Sequence, residues 1–354
     1  MSRFFSAKYA NLTPYVPGEQ PRTAQRLIKL NTNESPFPPS PRAVAAAQEA
    51  ARGLNLYSDP DARALREKLA EVYDLTPEEF VCVNGSDEIL NFAFMAFCDA
   101  QHPAVFPNAT YGFYKVFAAL NNVPYREIPL RPDFSINVDD YVGLNATIFL
   151  ANPNAPTGLA LPLEQVEQVV AGNPDGVVIV DEAYVDFGGE SALPLIRKYG
   201  NLLVARTFSK SRSMAGARIG FGAACPELIA DIETIRFSTN PYNVNSMTMA
   251  AAIGALDDEA YTRGCIAKVC AAREWTTRQL RELGFELNDS KTNFVFARTP
   301  KMGGAALCAA LRERGVIVRH FDTPLLTDYN RISIGSQEQM EAFIAAVRAI
   351  LEEA

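Results

Sequence analysis

The chain has 354 residues, of which 48% are hydrophobic and 21% are charged, a composition typical of a globular protein and not of a disordered or collagen-like one. Its 33 lysines and arginines against 41 aspartates and glutamates give a formal net charge of −8. This balance excludes a global positive field that would attract nucleic acid or an anionic membrane, so we expect neither partner. At this length we expect two domains with full hydrophobic cores.

The numbers and positions of the cysteines and histidines exclude or disfavour several kinds of site. The six cysteines form no C-x-x-C pair and most lie in apolar runs, so we expect reduced core residues. With only His102 and His320, a Cys/His metal cluster cannot be assembled and a Ser-His-Asp triad is disfavoured, so no metal site is expected. No apolar stretch has membrane-spanning length and no hydrophobic leader follows Met1, and we therefore expect a cytoplasmic protein.

The chain begins with an arm and continues with helices. Residues 1–30 carry several prolines and no sustained period, which predicts an extended arm that packs on the small domain or a second subunit. Ser40-Pro41 predicts the start of a helix that ends at Gly53, and Asp59-Pro60 predicts a second start. Thr76-Pro77-Glu78-Glu79 has the form of a capping box, so a third helical segment should begin there.

Short apolar runs then alternate with helical stretches. Several runs are apolar on both faces, which is typical of parallel strands covered by helices on both sides. We therefore predict an α/β fold with a large domain over residues 31–255, built on a mostly parallel sheet. Its predicted strands lie at 81–83, 104–106, 147–150, 177–180, 202–205 and 219–222.

The pattern changes after about residue 255. One long run with helical periodicity, which stops at Gly284, predicts a single long helix. Strand-like segments near 292–297, 316–320 and 331–334 are mixed with two helical segments. Residues 256–354 are therefore predicted to form a smaller α+β domain, and without a long polar linker the two domains should pack closely.

Polar residues follow the predicted strands, at the edge where a parallel sheet binds ligands. The segment Asn84-Gly85-Ser86-Asp87-Glu88 predicts a helix start that suits an anion, although an ordinary capped helix would look the same. Asn152-Pro153-Asn154-Ala155-Pro156-Thr157-Gly158 is by itself a constrained turn. Residues 181–184 and 206–210 follow the next two strands, with Arg218 beyond them. Taken singly, a loop acid and a loop lysine are commonly just solvated.

The order of these groups is the specific signal. A glycine turn, Asn-Pro-x-x-Pro-x-Gly, Asp-x-x-Tyr, Ser-Lys and Arg follow successive strands of one predicted sheet, and independent accidents rarely line up in this way. On these residues the sequence resembles the fold type I pyridoxal-phosphate aminotransferases, and among them the histidinol-phosphate aminotransferase subgroup. The resemblance covers nearly the whole chain, from Leu12-Thr13-Pro14-Tyr15 through Tyr57-Ser58-Asp59-Pro60 to Arg331-Ile332-Ser333-Ile334-Gly335.

The resemblance implies pyridoxal 5'-phosphate as the cofactor and a role for each catalytic residue. Lys210 matches the lysine that forms a Schiff base with the cofactor and later transfers a proton. Asp181 matches the carboxylate that faces the ring nitrogen. Asn154 and Tyr184 match the pair that hydrogen-bonds the phenolic oxygen. Tyr111 matches the aromatic residue stacked on the ring, although a core aromatic residue would look the same.

The resemblance also implies how the cofactor phosphate is bound and that the enzyme is a homodimer. The phosphate would be bound by a helix start, hydroxyl groups and one guanidinium. The matching residues are Gly85, Ser86, Asp87, Ser209 and Arg218. Tyr57 matches a tyrosine that reaches the phosphate from the partner subunit, so the resemblance makes a second copy of the chain part of each site.

Four further residues match positions that bind substrate in the family. Arg331 matches the arginine near the C-terminus that receives the substrate carboxylate or phosphate. Arg319 matches a second anion-binding arginine typical of the histidinol-phosphate subgroup, and an exposed charge at a strand edge would explain it equally well. Tyr15 and Asn33 match substrate contacts. Two arginines favour a phosphorylated substrate.

The function that the resemblance implies is a ping-pong aminotransferase working through a Lys210 Schiff base. Its small-molecule substrates would be L-histidinol phosphate as amino donor and 2-oxoglutarate as 2-oxo acid, in histidine biosynthesis. An aromatic amino acid aminotransferase and a threonine-phosphate decarboxylase of the same fold are alternatives, and a non-catalytic pyridoxal-phosphate-binding regulator is a third. Arg212 departs from the small and apolar residues usual after the lysine, and it could alter substrate preference.

Overall fold

The structure of the chain, a computed structural model, describes residues 2–10, 12–21 and 27–353. Its strands are β1 (Ile28–Lys29), β2 (Phe80–Val83), β3 (Ala104–Pro107), β4 (Tyr125–Ile128), β5 (Thr147–Ala151), β6 (Val178–Asp181), β7 (Leu202–Thr207), β8 (Gly220–Ala223), β9 (Glu286–Leu287), β10 (Phe294–Arg298), β11 (Val316–Ile317), β12 (Arg319–His320) and β13 (Asn330–Ser333). Its α-helices are α1 (Pro41–Ala50), α2 (Arg63–Tyr73), α3 (Ser86–Phe97), α4 (Phe113–Asn121), α5 (Leu163–Ala171), α6 (Pro226–Thr239), α7 (Ser246–Leu256), α8 (Glu259–Glu282), α9 (Gly304–Glu313) and α10 (Gln337–Glu353).

A seven-stranded sheet with the order β2-β8-β7-β6-β5-β3-β4 forms the centre of the fold. β8 runs antiparallel to both of its neighbours, and the other adjacent strands are parallel. Six of these strands lie at the six predicted positions, and β4 is an additional edge strand with a largely exposed, polar sequence. Because β2, β3, β5, β6 and β7 point the same way, the loops that follow them meet at one edge of the sheet.

Two hydrophobic layers cover this sheet, because successive residues of a strand point to opposite faces. One layer, with Leu150 and Val180, packs against α1, α2, α5 and α7. The other layer, with Phe149 and Ile179, packs against α3, α4 and α6. Burial on both faces explains why these strands are apolar throughout.

The helix starts predicted near the N-terminus differ in how closely they match the structure. At α1 the Ser40 side chain accepts a hydrogen bond from the N–H of Ala43 at 3.2 Å, and Pro41 is the first helical residue, as predicted. The capping box at 76–79 is present, but it closes only a short 3-10 turn before β2. α2 begins later than predicted, because the Asp59 carboxylate accepts the N–H of Arg63 and holds a turn before the helix.

The C-terminal part of the chain forms a sheet of its own covered by helices, which we call the C-terminal layer. Four antiparallel strands with the order β12-β13-β10-β9 pack against α8, α9 and α10 around Val269, Val295, Ile332 and Phe343. The long helix ends just before Gly284, whose φ of +85° suits a residue without a side chain. The mixture of one long helix, short strands and two further helices matches the predicted α+β organisation.

The described part of the N-terminal arm lies on the C-terminal layer. β1 pairs in parallel with β11, so the end of the arm is joined to the small sheets. The Arg312 guanidinium on α9 donates to both oxygens of the Glu19 carboxylate. The Tyr15 ring stacks on Phe113 of α4, with 4.1 Å between the ring centroids. The arm therefore contacts both the C-terminal layer and a helix that covers the central sheet.

Two further observations bear on the expectations about membranes and disulfides. In the three described ranges, no helix combines the length and the apolar character needed to cross a membrane. All six cysteines lie in those ranges and are free thiols.

Candidate active site

A cavity of about 270 Å³ lies at the edge of the central sheet where the parallel strands end. The predicted site residues that line it are Ser86, Asp87, Tyr111, Asp181, Tyr184, Ser209, Lys210 and Arg218. They come from the start of α3, the end of β6 and the residues just after it, the loops after β3 and β7, and the segment before β8. The sheet therefore brings together side chains that are as far apart in sequence as Ser86 and Arg218.

One end of the cavity combines a helix start with a guanidinium. α3 begins at Ser86, so the first N–H groups of this 12-residue helix have no partners within the helix and suit an anion. Gly85 has a φ of +84°, and a Cβ at this position would lie 2.5 Å from Nη2 of Arg218. Glycine therefore leaves room for Arg218 beside the helix start, and the two positive groups can act on the same anion.

Asp87 balances this positive charge. Nη2 of Arg218 donates to Oδ2 of Asp87 at 3.1 Å, and the Tyr111 hydroxyl donates to Oδ1 at 2.6 Å. Burial, together with the Asp87 carboxylate, raises the pKa of Tyr111 well above its usual value, so its hydroxyl stays protonated. A guanidinium carries five N–H groups, so Arg218 can bind Asp87 and an anion at once.

Asp181 is a buried carboxylate at the end of β6. Its oxygens accept hydrogen bonds from the N–H of Ala183 at 3.2 Å and from the Tyr114 hydroxyl at 3.3 Å. Burial raises the pKa of Asp181 to about 7, because these neutral donors compensate only part of the lost hydration. A cation beside Asp181 would favour the ionised form, so this position suits a positively charged ligand atom.

Lys210 brings a primary amine into the same cavity. Its Nζ donates to the carbonyl oxygen of Thr32 at 3.4 Å and lies 5.8 Å from the centroid of the Tyr184 ring. The side chain is half-buried, which leaves the amine accessible from the cavity. Lys210 is therefore placed to react with a carbonyl group or to transfer a proton.

Charged side chains behind Lys210 fix the loop that carries it. The buried Arg206 guanidinium on β7 forms ion pairs with Glu182 and Asp186, and the Ser211 hydroxyl donates to Asp186. Arg212 points away from the cavity and forms a 3.0 Å ion pair with Glu259. The charge of Arg212 therefore joins this loop to α8, and an effect of Arg212 on substrate preference stays a prediction.

Asn33 is buried beside Tyr184 and does not line the cavity. Its Nδ2 donates to the Tyr184 hydroxyl oxygen at 2.9 Å, and its Oδ1 accepts from the Ser333 hydroxyl at 2.9 Å. In the structure the Asn33 side chain therefore connects Tyr184 with β13, and the substrate contact at Asn33 stays a prediction.

Asn154 also lies outside the lining of the cavity. Its Nδ2 donates to the carbonyl oxygen of Ala109 at 2.9 Å and to the Thr157 hydroxyl at 3.0 Å, and its Oδ1 accepts from the Thr110 hydroxyl at 2.7 Å. Its neighbour Ala155 lines the cavity instead. Of the pair predicted to bind a phenolic oxygen, only Tyr184 lines the cavity, and Asn154 fixes the loop after β5.

Two arginines face each other on the second sheet. Arg319 and Arg331 are directly opposite in the antiparallel pair of β12 and β13, so their side chains share one face. Arg331 donates to the carbonyl oxygen of Asn31 at 3.1 Å, and in the described ranges its buried Nε has no hydrogen-bond partner. Burial lowers the pKa of Arg331. A buried donor without a partner suits an anionic ligand group.

Comparisons with known proteins agree with this geometry. Residues 25–347 match the family model described as aminotransferase class I and II. The chain belongs to the aminotransferase class I and II family. Among curated relatives of this aminotransferase, histidinol-phosphate aminotransferase 2 of Dechloromonas aromatica is 49% identical, with 99% of each chain covered. Histidinol-phosphate aminotransferase 1 of Bradyrhizobium diazoefficiens is 47% identical, with 99% of this chain and 100% of the relative covered.

Solved structures share the fold of this aminotransferase. Histidinol-phosphate aminotransferase from Sinorhizobium meliloti, in complex with pyridoxal-5'-phosphate, superposes with a TM-score of 0.89 at 25% identity and covers 100% of this chain and 99% of its own. The enzyme of the same name from Clostridium acetobutylicum has a TM-score of 0.85 at 23% identity, with 93% and 100% covered. The predicted fold type I architecture is therefore confirmed.

Tyr57 of the aminotransferase lies away from the cavity. Its side chain is 84% exposed and stacks on Tyr242, with 4.5 Å between the ring centroids. Leu54 and Leu56 beside it are also exposed. Within one chain, then, Tyr57 is not part of the cavity but of an exposed apolar surface.

Glu34 is a cavity residue that the sequence analysis missed. Its carboxylate accepts hydrogen bonds from Lys29 and, at 2.8 Å, from the Thr32 hydroxyl. Burial acts to raise the pKa of Glu34, but these hydrogen bonds and the charges of Lys29 and Lys210 outweigh it and lower the pKa overall. The signal available in sequence was its place directly after Asn33 in a segment already assigned to the site.

Proposed function

We propose that this aminotransferase uses pyridoxal 5'-phosphate and transfers the amino group of L-histidinol phosphate to 2-oxoglutarate, giving imidazole acetol phosphate and L-glutamate. The observation that carries the proposal is one cavity that joins the Lys210 amine to the buried Asp181 carboxylate and to the anion site at the start of α3. The names of the relatives support the substrate, and the ligand of the Sinorhizobium meliloti enzyme supports the cofactor.

The residues of the cavity fit this cofactor at two separate points. The helix start at Ser86 and the Arg218 guanidinium suit a phosphate dianion, and the Gly85 backbone leaves the space between them open. Asp181, with its pKa raised to about 7, favours a cationic ring nitrogen beside it. When bound, pyridoxal phosphate supplies an aldehyde that takes up the amino group and a protonated ring that withdraws electrons.

Each residue then has a stated task. The N–H groups at 85–87, the Ser209 hydroxyl and Arg218 bind the phosphate, Asp181 pairs with the ring nitrogen, and Tyr111 covers the ring. The Lys210 amine, once released, would take the proton from Cα of the amino donor and deliver it to the cofactor carbon that keeps the amino group, and in the second half of the cycle it would move a proton in the opposite direction. Asn154 acts through the loop that places Ala155 in the cavity, since its own polar atoms are bound to Ala109, Thr110 and Thr157.

Arg331 and Arg319 bind the anionic end of the substrate, with Tyr15 of the arm beside them. Their shared face concentrates two guanidinium groups on one side of the second sheet. A phosphate dianion gains more from two such groups than a single carboxylate does, which favours L-histidinol phosphate over an aromatic amino acid.

The remaining expectations concern organisation. We propose that residues 1–30, 31–255 and 256–354 act as arm, large domain and small domain. The exposed Tyr57 supports a homodimer in which this residue reaches the phosphate in the partner's site. A cytoplasmic location also remains a prediction.

The test is a half-reaction without any 2-oxo acid. The purified enzyme is loaded with pyridoxal phosphate, and its absorbance is followed after addition of L-histidinol phosphate or L-phenylalanine. We expect rapid conversion to the pyridoxamine form with L-histidinol phosphate. Conversion by L-phenylalanine alone would instead identify an aromatic aminotransferase. No conversion by either, with release of carbon dioxide from threonine phosphate, would identify a decarboxylase.

A further inference from the structure

A chain of hydrogen bonds beside the cavity has a direction that is fixed at one end. The backbone N–H of Asn33 lies 2.8 Å from Oγ of Ser333, and because a backbone N–H can only donate, the Ser333 oxygen is the acceptor. The Ser333 hydroxyl keeps a proton of its own, which it donates to Oδ1 of Asn33 at 2.9 Å. The amide oxygen of Asn33 therefore faces Ser333, and its amide nitrogen faces the other way.

The same direction continues to Tyr184. Nδ2 of Asn33 lies 2.9 Å from the Tyr184 hydroxyl. An amide nitrogen carries protons and cannot accept one, so the Tyr184 oxygen is the acceptor in this bond. The proton of the Tyr184 hydroxyl is then left for a different acceptor, and the cavity is the space that Tyr184 lines.

Burial makes this arrangement rigid. Asn33 and Ser333 are 1% and 3% exposed, so water does not compete for their polar atoms. Asn33 has a φ of +56°, and its carbonyl oxygen accepts from Nδ2 of Asn293 at 2.9 Å. These hydrogen bonds also join the central sheet to the C-terminal layer, because Tyr184 follows β6 and Ser333 is the last residue of β13.

We propose that Asn33 and Ser333 are positioning residues that make the Tyr184 hydroxyl a one-way donor into the cavity. The proposal rests on the proposed function, in which the acceptor is an oxygen of the cofactor that becomes negatively charged. The Glu34 carboxylate, which lines the same cavity, already accepts from Lys29 and Thr32. Two further charged groups lie near Tyr184, the Lys210 amine on the loop after β7 and the Arg331 guanidinium on β13. Neither accepts a proton in its charged form, so neither offers the Tyr184 hydroxyl an alternative acceptor.

The test reverses the direction of the hydrogen bond between Asn33 and the Tyr184 hydroxyl. In Asn33→Asp the carboxylate accepts where the amide donated, so the Tyr184 proton turns away from the cavity; aspartate also tolerates the positive φ. The readout is the pH midpoint at which the absorption of the cofactor-loaded enzyme changes, with Tyr184→Phe as reference. We expect both variants to shift the midpoint in the same direction, by about one pH unit or more, as for loss of a hydrogen bond to a charged group.

Further variants keep the outcome decisive. Asn33→Gly accepts the positive φ and leaves the Tyr184 hydroxyl free to turn, so its midpoint should lie between those of the wild type and Tyr184→Phe. Ser333→Ala should give a smaller shift in the same direction, because the Asn33 amide loses the bond that orients it. If Asn33→Asp does not fold, as judged by thermal unfolding, Asn33→Gly decides the matter.

The possible results separate the two proposals. A wild-type midpoint in Asn33→Asp, or in Tyr184→Phe, would overturn the inference while leaving the proposed function intact. Failure of the wild type to show an absorption band that depends on Lys210 would overturn the proposed function itself.

Discussion

The residues proposed to bind the cofactor and those proposed to bind the substrate are positioned in different ways. The cofactor side, meaning the proposed cofactor residues, is formed by the start of α3, the end of β6 and loops at one edge of a single sheet, from Gly85 to Arg218. The substrate side, meaning Arg319, Arg331 and the segments that carry their partners, is formed by contacts between distant parts of the chain, and neither arginine lines the cavity. Arg331 bonds to Asn31 and Asn33 to Ser333 across 300 positions, and Arg319 bonds to Val16 across 303.

We expect this difference to separate the residues that carry out the reaction from those that select the substrate. The central sheet is buried on both faces, so it holds Lys210, Asp181 and the start of α3 in one fixed arrangement. The substrate side depends on how the arm and the second sheet pack together. We therefore expect substitutions on the first side to abolish the reaction for every substrate, and substitutions on the second side to change which substrate is preferred.

The largest effect is expected for Lys210→Ala. Loss of the amine removes both the covalent attachment of the cofactor and the group that moves the Cα proton, so transamination should fall by at least about 1,000-fold with every amino donor. The measurement is the steady-state rate with L-histidinol phosphate and with L-phenylalanine, together with the absorption of the loaded protein. A loss confined to one donor would place Lys210 on the substrate side of the comparison.

A smaller loss, of about 100-fold, is expected for Asp181→Asn, because the variant cannot supply a negative charge beside the ring nitrogen. The cofactor-free protein offers a second readout. Burial raises the pKa of Asp181 from 3.8 to about 7, so the contribution of its protonated form to stability is lost as the pH rises between these values.

Asp181→Asn has no such dependence. Its cofactor-free form should therefore unfold at a higher urea concentration than the wild type at pH 8, and this advantage should shrink toward pH 4. Glu182 titrates in both proteins, so its contribution cancels. An advantage of equal size at both pH values would show that Asp181 is not the buried group responsible.

The smallest effect, and the most selective, is expected for Arg319→Ala. Losing one guanidinium should lower kcat/KM for L-histidinol phosphate by about 10-fold to 100-fold, and much less for L-phenylalanine, because only the former has a phosphate dianion. Arg298→Ala is the matched control, since Arg298 is another arginine of the second sheet and its guanidinium is bound to Glu286, away from the arm. Equal losses of kcat/KM for both amino donors would show that Arg319 does not bind the phosphate.

Much of the cofactor side could be predicted from the sequence, because local signals coincide there. The runs at 147–150 and 177–180 are apolar on both faces, and each is followed at once by the polar residues of the site. The glycine before Ser86 could be recognised as part of a helix start, but the reason for a glycine there, the room that it leaves for Arg218, appears only in the structure. Asn154 shows the limit of such signals: its motif was found, but the direction of its side chain depends on Ala109 and Thr110.

The sequence alone determined the α/β sheet, the order of the groups at its edge and the family that they resemble, because strand periodicity and turn residues act over a few positions. Only the tertiary structure decided that Asn33 donates a hydrogen bond to Tyr184, that Arg212 pairs with Glu259 and that Glu34 lines the cavity. These assignments depend on partners that lie far away in the chain, and hydrogen bonds and ion pairs formed across such distances leave no period or spacing in the sequence.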